Sequence, residues 1–198
     1  KSSESVVLRP EVAGRIAAIN FRDGAAVARG SLLLTLDAAV QEAELQQAKA
    51  NLGLAQSNYR RNLELLERKF VSQQAVDNVA ATLKVQEAAV QLAQAKVDKT
   101  RIKAPFNGVV GLRSVSVGDY VKEGQELINI EETGTLKVDF RLPEAYLSRL
   151  AKGQAVELSS DTLPGHRFQA VLDAVDPLVD QSGRAISCRA RLNNPQGQ

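Results

Sequence analysis

Residues 38–102 contain no proline and a single glycine, and their apolar side chains recur every seven positions. A seven-residue apolar repeat places one stripe of side chains along a helix and is typical of a coiled coil. The pattern predicts a hairpin of two helices, about residues 38–68 and 73–100, with a break at residues 68–72. The two apolar series are Leu45, Leu52, Tyr59 and Leu66, then Val76, Leu83, Val90 and Val97.

Each predicted helix of about 30 residues is about 45 Å long at the usual rise per residue. Small side chains at the offset positions, such as Ala48, Ala55 and Ala93, would let two antiparallel helices pack closely. Ser72 is a candidate N-cap for the second helix, because a hydroxyl can accept hydrogen bonds from free backbone amides. The hairpin tip is therefore expected far from the rest of the chain.

The segments on either side of the hairpin form a repeat, since residues 14–37 align without a gap with residues 108–131, an offset of 94 (108 − 14). Alternating apolar residues and glycines at equivalent positions are typical of short strands joined by tight turns. Residues 10–37 and 103–131 are therefore predicted to form one small two-sheet sandwich. The glycines assigned to structural turns are Gly14, Gly24, Gly30, Gly108, Gly118 and Gly124.

Alternating apolar residues return after the repeat and predict several strands, with one short helix at residues 143–150. Such strands fit a small antiparallel β-barrel. Residues 1–9 and 132–198 are assigned to this barrel, with Val6–Leu8 adding a strand to it. The chain stops in a turn-like NPQGQ sequence, so the barrel is expected to lack a closing strand.

The chain is thus predicted to be an elongated, multi-domain α+β protein, in which a coiled-coil hairpin splits a sandwich that a barrel follows. Composition and charge argue against several classes of function. A net charge of +2, with no basic cluster paired with stacking aromatics, argues against nucleic acid as a partner. The single cysteine excludes an internal disulfide, and no apolar run approaches the roughly 20 residues of a membrane span.

The sequence contains no pattern typical of a catalytic, metal-binding or cofactor site. His166 is the only histidine and has no second ligand at metal-binding spacing. Cys188 alternates with apolar neighbours and is interpreted as a small core side chain rather than a nucleophile. Acidic pairs on the helices have basic neighbours, which indicates a solvated surface rather than an acid–base pair. The chain is therefore predicted to be non-enzymatic and to need no cofactor.

The repeat resembles the half-motifs of lipoyl and biotinyl carrier domains, which implies a lipoyl-like fold for the sandwich. In those carriers the modified lysine stands on the tight hairpin that joins the two halves. Here two helices occupy that place and no lysine stands at the required tip, so covalent acyl or carboxyl carriage is not expected. An intact mass that includes a lipoyl or biotinyl group would revive the carrier hypothesis.

A lipoyl-like domain split by a coiled coil resembles the periplasmic adaptor, or membrane fusion, proteins of tripartite efflux pumps. The resemblance implies a subunit that links an inner-membrane resistance-nodulation-division transporter to a TolC-type outer-membrane channel for export of drugs or other toxic compounds. It also implies a periplasmic location and self-association into a hexamer in the assembled pump. The segments that carry it are RPEVAGRI at 9–16, KAPFNGVV at 103–110, VGDYVKEGQEL at 117–127 and VDPLVDQSGR at 175–184.

Full-length members of that family add a membrane-proximal domain and an N-terminal anchor. Neither is found in this chain, so we expect anchoring to the inner membrane through a segment outside it. The same architecture also serves ABC-type exporters and type I secretion systems, which remain the alternative partners. A metal-efflux adaptor that binds its own ion is a further alternative, although the absence of methionine and the single histidine argue against a soft-metal site here.

The break between the helices carries a finer resemblance. In adaptors of resistance-nodulation-division pumps the tip has Arg, then Leu four residues on, then Ser seven further on, and Arg61, Leu65 and Ser72 have those spacings. The resemblance implies that this trio contacts the channel. Arg61 can donate several hydrogen bonds, and Leu65 offers apolar contact. The alternatives are a solvated charge for Arg61, a flanking seam residue for Leu65 and capping alone for Ser72.

Overall fold

The computed structural model describes residues 2–159, 167–180 and 185–194. Two long helices, α1 (Ala39–Glu67) and α2 (Gln73–Lys99), interrupt a series of short strands, and each begins and ends within one residue of the bounds expected from the heptads. A 3₁₀ helix, Glu144–Arg149, stands where the short helix was predicted. The strands are β1 (Ser5–Leu8), β2 (Gly14–Ile19), β3 (Ala26–Val27), β4 (Leu32–Leu36), β5 (Arg101–Lys103), β6 (Gly108–Val110), β7 (Tyr120–Val121), β8 (Ile128–Glu131), β9 (Thr135–Pro143), β10 (Ala155–Ser159), β11 (Arg167–Asp180) and β12 (Ala185–Asn193).

The sandwich consists of two four-stranded sheets, ordered β1-β8-β6-β3 and β5-β4-β2-β7. Each copy of the repeat supplies a two-residue strand to the sheet of the other copy, because β3 pairs with β6 and β7 pairs with β2. The exchange is symmetric: Gly14 pairs with Val121, and Val27 pairs with Gly108. These two pairs are related by the 94-residue offset, so the copies interlock instead of merely stacking.

The base of the hairpin is fixed by the sandwich. The N–H of Leu36, at the end of β4, donates to the carbonyl oxygen of Thr100 at 2.8 Å, which joins the residues before α1 and after α2. The buried Thr100 hydroxyl donates to the carbonyl oxygen of Val97 at 2.7 Å. Below this junction lies the sandwich core, whose largest buried side chains are Ile16, Leu33, Leu34, Leu36, Leu127, Ile130, Val110 and Val121.

The N-terminal strand belongs to the sandwich. β1 pairs antiparallel with β8, and the side chains of Val6 and Leu8 pack against the sandwich core. The prediction that Val6–Leu8 adds a strand to the barrel is therefore wrong, because these side chains are covered by the sandwich and the pairing edge is that of β8. The chain meets the barrel just before β1, where Ser2 forms a β-bridge with Leu136.

Four of the six glycines assigned to turns lie in turns with positive φ, which are Gly24, Gly30, Gly118 and Gly124. For Gly14 and Gly108 the turn assignment is wrong, because they are the first residues of β2 and β6. A Cβ atom on Gly108 would meet the backbone of Glu131. Close strand packing, not turn geometry, requires glycine at that position.

The helices of the hairpin pack antiparallel along the predicted seam, which confirms the coiled-coil hairpin. Because two helices share only one interface, other heptad residues such as Leu52, Leu83 and Val90 stay half-buried. The Lys96 ammonium pairs with the Glu44 carboxylate at 2.8 Å across the hairpin. The buried residues of the seam are Leu45, Ala48, Ala55, Val76, Ala93 and Val97.

The barrel segment forms an antiparallel sheet ordered β10-β11-β12-β9. β12 and β9 pair without interruption from Ala185 opposite Pro143 to Asn193 opposite Thr135. Cys188 is buried in this sheet between Ile186 and Ala190, also buried, which confirms its interpretation as a core side chain. His166 and part of the segment 175–184 lie outside the described residues.

Candidate partner-binding site at the hairpin tip

The C-terminus of α1 is closed by two backbone hydrogen bonds. The N–H of Lys69 donates to the carbonyl oxygen of Leu66 at 2.8 Å, and the N–H of Phe70 donates to that of Leu65 at 2.9 Å. This pair of bonds defines a Schellman motif. The chain therefore reverses directly after Arg68, the C-cap residue, and the turn forms the apex of the hairpin.

The N-terminus of α2 is capped by Ser72, as the sequence predicted. Ser72 has an extended backbone, with φ of −82° and ψ of 159°. Its Oγ accepts a hydrogen bond from the backbone N–H of Ala75 at 3.3 Å, as expected of an N-cap residue. The same N–H also donates to the Ser72 carbonyl oxygen at 3.1 Å. The side chain is exposed, and its hydroxyl hydrogen is not used by the cap, so it can donate to a partner.

The three residues singled out from the sequence lie at or near this apex. Leu65 is half-buried in the last turn of α1, and exposed Ser72 begins α2 on the other side of the turn. Exposed Arg61 lies one helical turn below Leu65 on the same face of α1. Among the described residues no hydrogen bond joins their side chains, so the trio offers separate contacts along one surface.

The tip carries a surplus of positive charge. Residues 60–72 contain four cations and two carboxylates, a net charge of +2 (4 − 2). Within the described part of the chain, none of the four cations has a carboxylate oxygen within 4.0 Å. The charged residues of the tip are Arg60, Arg61, Arg68, Lys69, Glu64 and Glu67.

Sequence reasoning missed Phe70, a residue that is 74% exposed at the apex. It follows Lys69, which has a φ of 60° in the left-handed region that favours glycine. The sequence signal that could have identified Phe70 is an aromatic residue inside the charged break RKFVS, in a chain with only 4% aromatic residues. The spacing of residues along the chain predicts neither the exposure of Phe70 nor the turn that presents it.

Other candidate chemistry has no support in the described residues. They contain no group of three or more His, Cys, Asp or Glu placed to hold a metal ion. Burial raises the pKa of the Cys188 thiol, which lowers the fraction of reactive thiolate. Arg189 and Asp139 form an exposed ion pair on the barrel sheet. The pKa of Arg189 is raised by its hydrogen bond to Asp139 and by the charge of that carboxylate.

Neither α1 nor α2 combines the length and apolar character needed to cross a membrane, and the same holds for the other helical residues that the structure describes.

Comparison with known proteins identifies the family. Residues 4–133 match the family described as "RND MFP, barrel-sandwich hybrid domain", and residues 135–198 match "CusB-like, beta-barrel domain". The chain therefore belongs to the membrane fusion protein family of resistance-nodulation-division systems. The boundary between the two matches falls just before β9, which agrees with the place of β1 in the sandwich.

Individual relatives agree with this assignment. The chain is 31% identical over 215 residues to multidrug resistance protein MdtA of Pectobacterium carotovorum, covering 98% of this chain and 52% of that protein. An uncharacterized protein of Haemophilus influenzae is 32% identical over 197 residues, and this match covers 100% of this chain and 52% of that protein. The chain thus spans about half the length of the curated relatives it matches.

A solved structure also has this architecture. It is a MacA–MexA chimera that contains the Pseudomonas aeruginosa MexA α-hairpin domain. The two structures superimpose with a TM-score of 0.83 at 27% sequence identity. The superposition covers 100% of this chain and 74% of the chimera.

Proposed function

We propose that this chain is the lipoyl-like sandwich, hairpin and barrel part of a periplasmic adaptor of a tripartite efflux pump. The adaptor links an inner-membrane resistance-nodulation-division transporter to a TolC-type outer-membrane channel, so that drugs or other toxic compounds cross the periplasm. The observation that carries the proposal is the exposed apolar and basic tip of a long two-helix hairpin. With 29 residues, α1 alone is about 44 Å long. The family match supports the choice of transporter class, and the likeness to multidrug resistance protein MdtA supports drugs as exported compounds.

The tip residues would bind the channel without any chemical step. The Arg61 guanidinium presents a planar set of donors that suits carbonyl or carboxylate oxygens. Leu65 gives an apolar contact, and the free hydroxyl hydrogen of Ser72 can donate while its oxygen caps α2. The adaptor would act by assembling and sealing a conduit, and the transporter would supply the energy.

Self-association is the second part of the proposal, with a hexamer in the assembled pump. One face of the hairpin has a shallow groove between the helices, beside the Lys96–Glu44 ion pair. Gln47 and Leu92 line this groove, so residues seven positions away along each helix share that face. They include the most exposed apolar side chains of the two helices, which are Val40, Leu54, Val85 and Leu92. A second hairpin that covers this face would bury them.

The experiment is a pull-down of the chain by a TolC-type channel from the same genome. Arg61→Asp and Leu65→Ser are each expected to reduce the captured amount. Lys49→Asp, at an exposed position of α1 away from the tip, and Leu112→Ser, at an exposed position outside the hairpin, are the matched controls and should be captured like the unchanged chain. Undiminished capture of both tip variants would contradict the assignment of the tip.

A further inference from the structure

We propose that Phe70 is an anchor residue of the tip, inserting its ring into an apolar pocket of the partner protein that is rimmed by carboxylates or free carbonyl oxygens. The inference rests on the proposed function, since it names a further contact residue in the same hairpin tip. It adds an aromatic contact to the three residues that the sequence singled out.

The exposure of Phe70 is not explained by the turn itself. In a Schellman motif the residue at the Phe70 position commonly makes an apolar contact with the residue at the Leu65 position. Here Phe70 remains 74% exposed, although the backbone bond between the two residues is formed at 2.9 Å. Covering a large exposed apolar side chain with a partner removes apolar surface from water, which favours binding.

The residues before Phe70 point the same way. Lys69 has the positive φ, 60°, that the Schellman motif places at this position. Arg68 and Lys69 directly precede Phe70 and make the apex basic, and aromatic and arginine side chains are the types that dominate binding hot spots. An apolar pocket with an acidic or carbonyl rim is the surface complementary to this group.

An anionic lipid surface would also attract a ring flanked by cations. Helices that lie on membranes bury a long apolar face along their axis. The apolar surface at this tip is instead a single point at the end of two helices, formed by Phe70 and half-buried Leu65. A point contact suits a pocket in a protein, and we therefore assign the partner to a protein.

The experiment measures the affinity of the 198-residue chain for a TolC-type channel from the same genome, held in phosphatidylcholine nanodiscs, by biolayer interferometry. Phe70→Ala is expected to weaken binding about tenfold or more, as the loss of a buried ring requires. Phe70→Tyr should stay within about threefold of the unchanged chain, because the ring remains. Leu112→Ala removes a leucine side chain at an 82% exposed position outside the hairpin and should have no effect. Circular dichroism melting checks that each variant folds.

The outcomes separate this inference from the proposed function. If Arg61→Asp weakens binding but Phe70→Ala does not, the role of Phe70 is refuted and the channel contact stands. If the unchanged chain does not bind channel-loaded nanodiscs above empty ones, both are refuted. Binding to phosphatidylglycerol vesicles that is lost in Phe70→Ala, without binding to the channel, would assign the tip to a membrane surface and overturn the inference.

Discussion

Gly108 and Glu131 approach so closely that a Cβ atom on Gly108 would lie 2.5 Å from the Glu131 carbonyl oxygen. They lie on the paired strands β6 and β8, where Val109 is opposite Glu131. Neither backbone can move away without loosening that pairing. The contact lies in the sandwich that holds the base of the hairpin. Disrupting the contact would therefore also loosen the base of the hairpin.

Gly108→Ala is therefore expected to lower the free energy of unfolding by about 1–3 kcal/mol, the usual cost of forcing atoms into a packed site. Gly53→Ala is the matched control, because nothing lies within 4 Å of a Cβ at that helical position. It should raise stability by about 0.5–1 kcal/mol. Differential scanning calorimetry measures both, and a Gly108→Ala variant as stable as the unchanged chain would refute the close contact.

The N-cap of α2 gives a second prediction. Ser72→Ala removes the side-chain acceptor of the Ala75 N–H, which also donates to the Ser72 carbonyl oxygen at 3.1 Å, and should destabilise the start of α2 by about 0.5–1 kcal/mol. Ser57→Ala is the control, since the Ser57 hydroxyl donates to the Gly53 carbonyl oxygen in mid-helix, a bond that adds little stability. Hydrogen exchange at the amide of Ala75 should quicken in the first variant alone. Equal exchange in both would contradict the capping role.

Cys188 gives a third prediction, about chemical reactivity. The thiol is buried and its pKa is raised, so at pH 8 less thiolate is present than for an exposed cysteine, and thiolate is the reacting form. Ellman's reagent should therefore leave the native protein unmodified for minutes and modify one thiol per chain in guanidinium, since the chain has one cysteine. Rapid reaction of the native protein would show that the barrel sheet does not cover this residue.

The exposed face of the hairpin gives a fourth prediction. Leu92→Glu places a charge in the groove beside Ala93 and should lower the fraction of self-associated protein at high concentration, because that face would no longer be covered without burying a charge. Leu112→Glu, at an 82% exposed position outside the hairpin, is the control. Analytical ultracentrifugation measures both. Identical sedimentation of the two variants and the unchanged chain would exclude this face as the interface.

The long-range architecture was predictable because its signals are periodic. The heptads located both helices, and the 94-residue offset placed the sandwich on either side of them. Periodicity does not name the partner of a strand, which is why Val6–Leu8 was assigned to the barrel although β1 pairs with β8. The role of a glycine is equally hard to predict, since sequence alone does not distinguish the turn at Gly118 from the close backbone approach at Gly108.

The candidate site was predictable only where a helix fixed the geometry. Arg61 and Leu65 share a face of α1 because four residues make about one turn, and Ser72 caps α2 because its position precedes the second apolar series. The positive φ of Lys69 and the exposure of Phe70 depend on how one tight turn closes. No periodic pattern encodes that turn, so it required the structure.

The contact proposed between the hairpin tip and the outer-membrane channel can be tested by photocrosslinking in cells. A photo-activatable amino acid would replace Leu65 in one strain and Leu54, at an exposed position of the same helix, in another, each in the full-length protein. Illumination should give an adduct with a TolC-type channel from position 65 and none from position 54. A channel adduct from position 54 with none from position 65 would show that the channel binds the side of the hairpin and not its tip.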